Sequence, residues 1–347
     1  MNHILNKAVK AIIGLDLAKT VFHAVDPSKD KKAGRKKLRR AQVLPYFANH
    51  PPCVVAMEAC ASAHYWGREL EKLGHEVKLL PPRDVRPFVS GNKNDFNDAL
   101  AIAEASQRPS IHVVRIKTIP EQDRQAWHRM RDLLVGQRTA QVNQIRGLLG
   151  EYGIVIPQGI RQVYKAIPNL LEDGENGLSD PFRALLNGAY EHLRTLDGWI
   201  DDYERQLVEA NRQDEEIQKL QTIPGFGPIV ASAFKTVIGD GSAFDSGRDV
   251  AAYLGLVPKQ HSSGDKTVLL GISKRGNKRL RCLLVHGARA VVAHAEKKSD
   301  ALSRWIVGVV ARRGKHKAIV ATANKLARIG WAVLVGNKPY QPRLANA

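Results

Sequence analysis

The chain has 347 residues, 44% of them hydrophobic, enough for two or three folded domains and too apolar for a disordered protein. Its 53 lysines and arginines outnumber 34 acidic residues, and the net charge of +19 points to a polyanionic partner, most often nucleic acid. No basic-then-apolar leader opens it, the most apolar run (318–335) is broken by Lys325 and Arg328, and Cys53, Cys60 and Cys282 have neither metal-ligand spacing nor disulfide numbers. A reduced, cytoplasmic protein with no membrane partner is expected.

Residues 9–26, VKAIIGLDLAKTVFHAVD, predict two β-strands with a bend near Ala18–Lys19. The first is a short buried run, Ala11–Leu17, with one acid, Asp16, in its middle. A carboxylate there is costly unless it has a partner or a cation. Residues 35–43, RKKLRRAQV, predict an edge strand that completes a meander. Its basic side chains suit either a solvated edge that resists aggregation or contact with phosphate.

CVVAMEA (53–59) predicts a further buried strand, ending in Glu58. A helix over Ser62–Leu73, a strand over 75–81, a helical stretch over 82–90 and a helix from Asp95 follow. The order β-β-β-α-β-α-β-α argues for an α/β sheet with a ligand crevice at its strand ends. In NKNDFNDALAIAE (92–104), Asp95 and Asp98 stand three residues apart and share a helix face. Alone, such a pair reads as an ordinary cap or first-turn pair.

Asp16 and Glu58 change that balance. Four carboxylates from three elements, converging on one crevice, suit two Mg²⁺ (or Mn²⁺) ions that stabilise attacking and leaving oxygens in phosphoryl transfer. The layout resembles the ribonuclease-H-like nuclease fold, in particular its Holliday-junction-resolvase branch. Asp26, in a turn-like D-P-S, and Asp84, at a polar helix start, stay outside the set.

From Ile119 to Tyr152 a long polar helix is expected, with Trp127, Met130, Leu134, Val142, Ile145 and Leu149 at helical spacing. A second covers roughly 179–219 through Leu185, Leu193, Leu196, Ile200, Tyr203 and Leu207. Together they predict an antiparallel hairpin or coiled-coil arm, a spacer or self-association surface without catalytic chemistry.

In KLQTIPGFGPIVASAFK (219–235), Gly225 and Gly227 allow a tight turn before a helix, as in the helix-hairpin-helix motif of DNA-binding proteins. A plain helix–helix turn is the alternative, and the charge context favours phosphate contact. Ser262-Ser263-Gly264 reads, from the residues alone, as a polar loop before an apolar strand-like run, with no obvious base nearby beyond His261. Lys274, Arg275, Lys278, Arg279 and Arg281 form one basic cluster, and Arg312, Arg313, Lys315 and Lys317 another. Both suit phosphate-backbone contact without base reading.

The motifs together resemble a known family. GLDLAKTVFHAVD, AMEACASAHYWGREL and NKNDFNDALAIAEA are similar to the resolvase-like domain of the DEDD-type transposases of insertion-sequence family one-hundred-and-ten. TIPGFGPIVASA, GLVPKQHSSG and GISKRGNKRLR are similar, in the same order, to its C-terminal transposase domain. The resemblance runs from about Ala11 to about Tyr340.

It implies that Asp16, Glu58, Asp95 and Asp98 hold the metal and that Ser263, directly before Gly264, is the nucleophile, with Ser262 the neighbour to test. It further implies a phosphoserine intermediate, as in serine recombinases, and a homo-oligomer (dimer or tetramer) in which the acids of one subunit meet the serine of another. The partners implied are donor and target DNA and a non-coding guide (bridge) RNA, in a bacterial, nucleoid-associated setting.

The expected organisation is a ribonuclease-H-like domain (1–115), a helical arm (116–218) and a mainly helical transposase domain (219–347). Two other readings compete. One is a metal-dependent Holliday-junction-type endonuclease in which Ser263 is only a turn residue. The other is a non-enzymatic nucleic-acid-binding protein whose acids cap helices.

Overall fold

A computed structural model describes residues 10–92, 94–264 and 266–342, which divide into two units, Met1–Ile119 and Pro120–Ala347. The first unit opens with β1 (Ile12–Asp16), β2 (Val21–Val25) and β3 (Arg35–Arg39), then α1 (Val43–Ala48) and β4 (Val54–Glu58). It continues with α2 (Ala63–Lys72), β5 (Glu76–Leu80), a short α3 (Pro82–Val85) and α4 (Asp95–Ala105). The strands form one sheet in the order β3-β2-β1-β4-β5. The β1–β2 and β2–β3 pairs are antiparallel, and β1–β4 and β4–β5 are parallel.

Side-chain alternation gives each strand two faces. Ile13, Leu15, Phe22, Leu38, Val55 and Met57 join a core with Val43, Phe47, Trp66 and Leu70 from α1 and α2. On the other face, Ala56 and Leu80 pack with Ala101, Ile102 and Ala105 of α4. Asp16 and Glu58 share this second face with α4. Asp16 ends β1 rather than standing at its middle, beside the matching end of the parallel strand β4.

The expected 35–43 strand stops at Arg39: a 3₁₀ turn over Arg40–Gln42 follows, and helix α1 begins at Val43. Its VLPYFA composition carries no helix signal, and tertiary packing decides it: Val43 and Phe47 are both 0% exposed.

The second unit contains α5 (Ile119–Gly150), α6 (Ile160–Glu172) and α7 (Asp180–Arg212). The ion pairs Arg131–Glu204 and Arg138–Asp197 (2.5 Å) show that α5 and α7 run antiparallel, as the expected hairpin requires. Helix α6 occupies the connection between the two long helices, where a loop is expected, and carries Pro168 within it. It buries Val163 and Ile167 against Ile145, Leu149 and Leu186 of the long helices. Met130 and Leu185, expected on the apolar faces, are exposed, and Leu186 takes the buried place.

After α8 (Glu215–Gln221), α9 (Pro228–Ile238) and α10 (Gly247–Tyr253) comes an antiparallel ribbon, β6 (Pro258–Ser263) and β7 (Lys266–Ile272). Helices α11 (Lys278–Ala293), α12 (Ala301–Arg313) and α13 (Lys315–Gly336) complete the unit. Helix α13 has the length and composition of a membrane span, yet 50% of its apolar window is buried, with Ala323, Leu326 and Ala327 in the shared core. Lys325, which interrupts that run, lies 4.1 Å from the Trp305 ring centroid.

Candidate active site

The acid-bearing end of α4 is built by two local devices. Asn94 is the N-cap, its side chain accepting from the Phe96 amide at 2.9 Å. Capping therefore does not occupy Asp95 or Asp98, which leave from the first turn on one face. Beneath them, Gly14 leaves the room that lets α4 lie on β1. A Cβ there would stand 1.9 Å from the Ala99 carbonyl oxygen.

The four carboxylates feel one another. Burial, followed by Asp98, Asp95 and Glu58 in that order, pushes Asp16 up to about 6. Burial and the Asp98 carboxylate also raise Glu58. The Cys60 thiol is pushed up by burial and by the Glu58 and Asp16 carboxylates, so it borders the same cluster. Sequence reasoning missed one neighbour, His23, whose buried Nδ1 makes no hydrogen bond and lies 3.4 Å from Asp95 Oδ2. Its signal in the sequence is a histidine inside the apolar run VFHAV; the sheet register then sets it opposite Asp16.

Among the described residues, Asp16, Glu58 and Asp98 have no basic side chain paired with them. Mutually repelling, partly buried oxygen donors are the donor set of a hard divalent cation. No three of the described side chains close into a metal-ligating group by themselves. An ion held here would take the rest of its coordination from water and phosphate, as Mg²⁺ commonly does. The residues fit such a group. Asp26 is outside the cluster and accepts from the Ser28 amide at 3.0 Å and hydroxyl at 2.6 Å, an ordinary turn.

Ser262 and Ser263 stand in β6 rather than in a loop, and Gly264, at φ +56°, starts the turn. The extended backbone separates the two serines onto opposite faces. Ser262 shares its face with Gln260 and accepts from that side chain at 3.0 Å. Ser263 shares its face with His261 and, by register, with Lys266 and Val268 across the ladder. Both strands are exposed along nearly their whole length.

The basic clusters separate by partner. Arg279 bridges Asp132 and His128 of α5, with 3.0 Å to His128 Nδ1. Arg281, 8% exposed, donates to the Leu254 and Arg275 carbonyls at 2.8 Å each. Both are framework residues. Lys274, Arg275, Lys278, Arg312, Arg313, Lys315 and Lys317 are exposed.

Gly225, at φ +84°, makes a close backbone contact: a Cβ would lie 2.8 Å from the Gly287 carbonyl oxygen. That contact accounts for the first glycine of the turn. Gly227, the N-cap of α9 with Pro228 at the first position, has open space around its Cα.

Comparison with known proteins places both halves. Residues 217–304 match the profile described as "Transposase IS116/IS110/IS902 family", and residues 13–154 match the DEDD transposase profile. A "Probable family 20 transposase" of Pseudomonas aeruginosa is 47% identical over 95% of this chain and 98% of its own length. The transposase for insertion sequence element IS1328 of Yersinia enterocolitica is 45% identical, covering 93% of this chain and 96% of its own. That for IS1111A of Coxiella burnetii is 43% identical over 95% and 91%.

Proposed function

The chain belongs to the IS110 family of insertion-sequence transposases, enzymes of DNA recombination, and we propose that it cuts and rejoins DNA through Ser263 with divalent metal held by Asp16, Glu58, Asp95 and Asp98. The observation that carries this is the convergence of the four carboxylates on one sheet face, where three of them raise the fourth. The sheet order, with antiparallel β1–β3 and parallel β1, β4 and β5, supports a ribonuclease-H-like reading of this unit.

In the reaction, Ser263 Oγ bonds to phosphorus as the P–O bond to one strand end breaks. The hydroxyl proton leaves Ser263 and the freed strand end takes up a proton. Attack by a second strand end on the phosphoserine reverses the exchange and releases the serine. A serine hydroxyl needs an activating neighbour at neutral pH, and His261 and Lys266 share its ribbon face. The metal, when bound, supplies Lewis-acid polarisation of the phosphoryl group and neutralises its developing charge. Asp95 and Asp98 are carried together by one helical turn, and Asp16 and Glu58 by adjacent strand ends, so α4 sets the spacing of the donor set.

Neither centre is complete in its own unit, which supports a homo-oligomer (dimer or tetramer) in which one subunit's serine works with another's acids. Exposed lysines and arginines without an accompanying set of aromatics, 6% of the chain, suit backbone contact. That supports a division of labour in which a non-coding RNA from the element's own ends chooses the sequence.

The test is covalent trapping. The protein is incubated with the element's RNA, labelled donor DNA and Mg²⁺, then denatured. A protein–DNA adduct is expected, lost in Ser263→Ala and Asp95→Asn, retained in Ser262→Ala, and absent without RNA. Cleavage without an adduct would establish instead a hydrolytic nuclease using water. Binding of nucleic acid with no cleavage by the wild type would leave a binding protein.

A further inference from the structure

The basic edge strand β3 is unused by the reading above, and the strand ladder sorts its cations. Asp16 pairs with His23, and His23 with Lys37. These three residues therefore form one row across neighbouring strands on the face that carries α4. Strand spacing of about 4.8 Å puts Lys37 roughly 10 Å from Asp16 at the backbone, within reach of a long side chain and one phosphate. Val25 pairs with Arg35 and Val21 with Arg39, so Arg35, Lys37 and Arg39 share this face. Leu38 lies on the other, buried against the core of Phe22 and Trp66.

Arg35 confirms the direction, its guanidinium 5.3 Å from the ring centroid of Phe96, the residue after Asp95. Arg40 takes no part, since it packs over Trp66 at 5.0 Å. Among the described residues, no carboxylate pairs with Arg35, Lys37 or Arg39. Unpaired cations thus stand beside unpaired carboxylates, an arrangement in which a bound phosphate and its metal neutralise both sets.

We propose that β3 is a phosphate track, on which Lys37 and Arg39, with Arg35, hold successive phosphates of the DNA strand being cut and lead it to the carboxylates. Alternate residues of a strand are roughly 6.6 Å apart, commensurate with successive phosphates of one extended nucleic-acid strand. The proposal rests on the acid-site reading above and adds the residues that bring substrate to it. DNA is the occupant because the track ends at the acids of a DNA transposase.

The test uses the full chain and element-end DNA in EDTA, where no cutting occurs, and reads the slope of log affinity against log salt. Lys37→Gln with Arg39→Gln should lower the slope by about 1.8, at ~0.9 for each duplex phosphate no longer neutralised. Lys37→Arg with Arg39→Lys should restore it, and Lys36→Gln, on the opposite face, should leave it at the wild-type value. An unchanged slope in the double variant would overturn the track, as would an equal loss in Lys36→Gln. So would a loss seen with the element's RNA and not with its DNA. Because the acid-and-serine reading is judged by the covalent adduct, its failure and the failure of the track are read from separate experiments.

Discussion

Gly14 and Ala99 meet so closely that a single methyl group separates the native arrangement from a steric conflict. The Cβ that any other residue would place on Gly14 lies 1.9 Å from the Ala99 carbonyl oxygen and 2.9 Å from the Ala103 amide nitrogen. Both are backbone atoms of α4, so relief requires the helix to move. That helix carries Asp95 and Asp98, and its seat on β1 fixes their distance from Asp16.

Gly14→Ala should therefore cost about 1–3 kcal/mol of stability, the usual range for overpacking. It should also weaken Mn²⁺ binding by the metal-free protein, although no ligand is touched. Denaturant titration and calorimetric Mn²⁺ titration check the two effects. Full Mn²⁺ affinity in a folded Gly14→Ala protein would show that the helix seat does not set the site.

Asp16→Asn should stabilise the metal-free protein near neutral pH while abolishing recombination. The folded protein holds the Asp16 proton up to about 6 against an ordinary 3.8, so protonation favours the folded state. The stabilising contribution is fully present below 3.8 and lost as pH rises through about 6. Asparagine keeps the neutral form at every pH. Thermal midpoints in EDTA should show the variant above wild type at neutral pH, converging below 3.8.

Lys278 and Arg279 are neighbours with opposite expectations. Lys278 is exposed at the start of α11, and its replacement by alanine should lower the DNA salt slope by about 0.9, one duplex phosphate, without changing the thermal midpoint. Arg279 ties Asp132 and His128 of α5 to α11. Arg279→Ala should destabilise the second unit by about 1–3 kcal/mol, because it leaves partly buried polar groups unpaired. Equal effects of the two variants on stability would contradict this division.

His128, 1% exposed, lies between Ser232 Oγ and Arg279, both at 3.0 Å. Burial first, then the Arg279, Arg131 and Arg124 charges, push its pKa from 6.5 to about 3. The unfolded chain binds that proton more tightly, so this contribution is present above 6.5 and lost as pH falls toward 3. Melting of the wild type should fall as pH drops below 6.5, and His128→Gln should start lower but fall less steeply.

Much of this protein is written locally. The apolar run Ala11–Leu17 and the i, i+3 spacing of Asp95 and Asp98 depend only on local composition and backbone period, so strands, helix and the order of the acids were legible. The net charge and the paired long helices were legible for the same reason. Other features join residues distant along the chain. Arg279 finds Asp132 across 147 residues, and Gly14 is required only because α4 lands on it. Helix α1 forms because a sheet waits to bury Val43 and Phe47. The basic run of β3 divides into two faces only once its ladder with β2 is set. Sequence alone determined which residues carry charge and in what local period. Tertiary packing decided which of those charges are spent on the framework and which remain free, because a charge's partner, burial and field are properties of what folds against it.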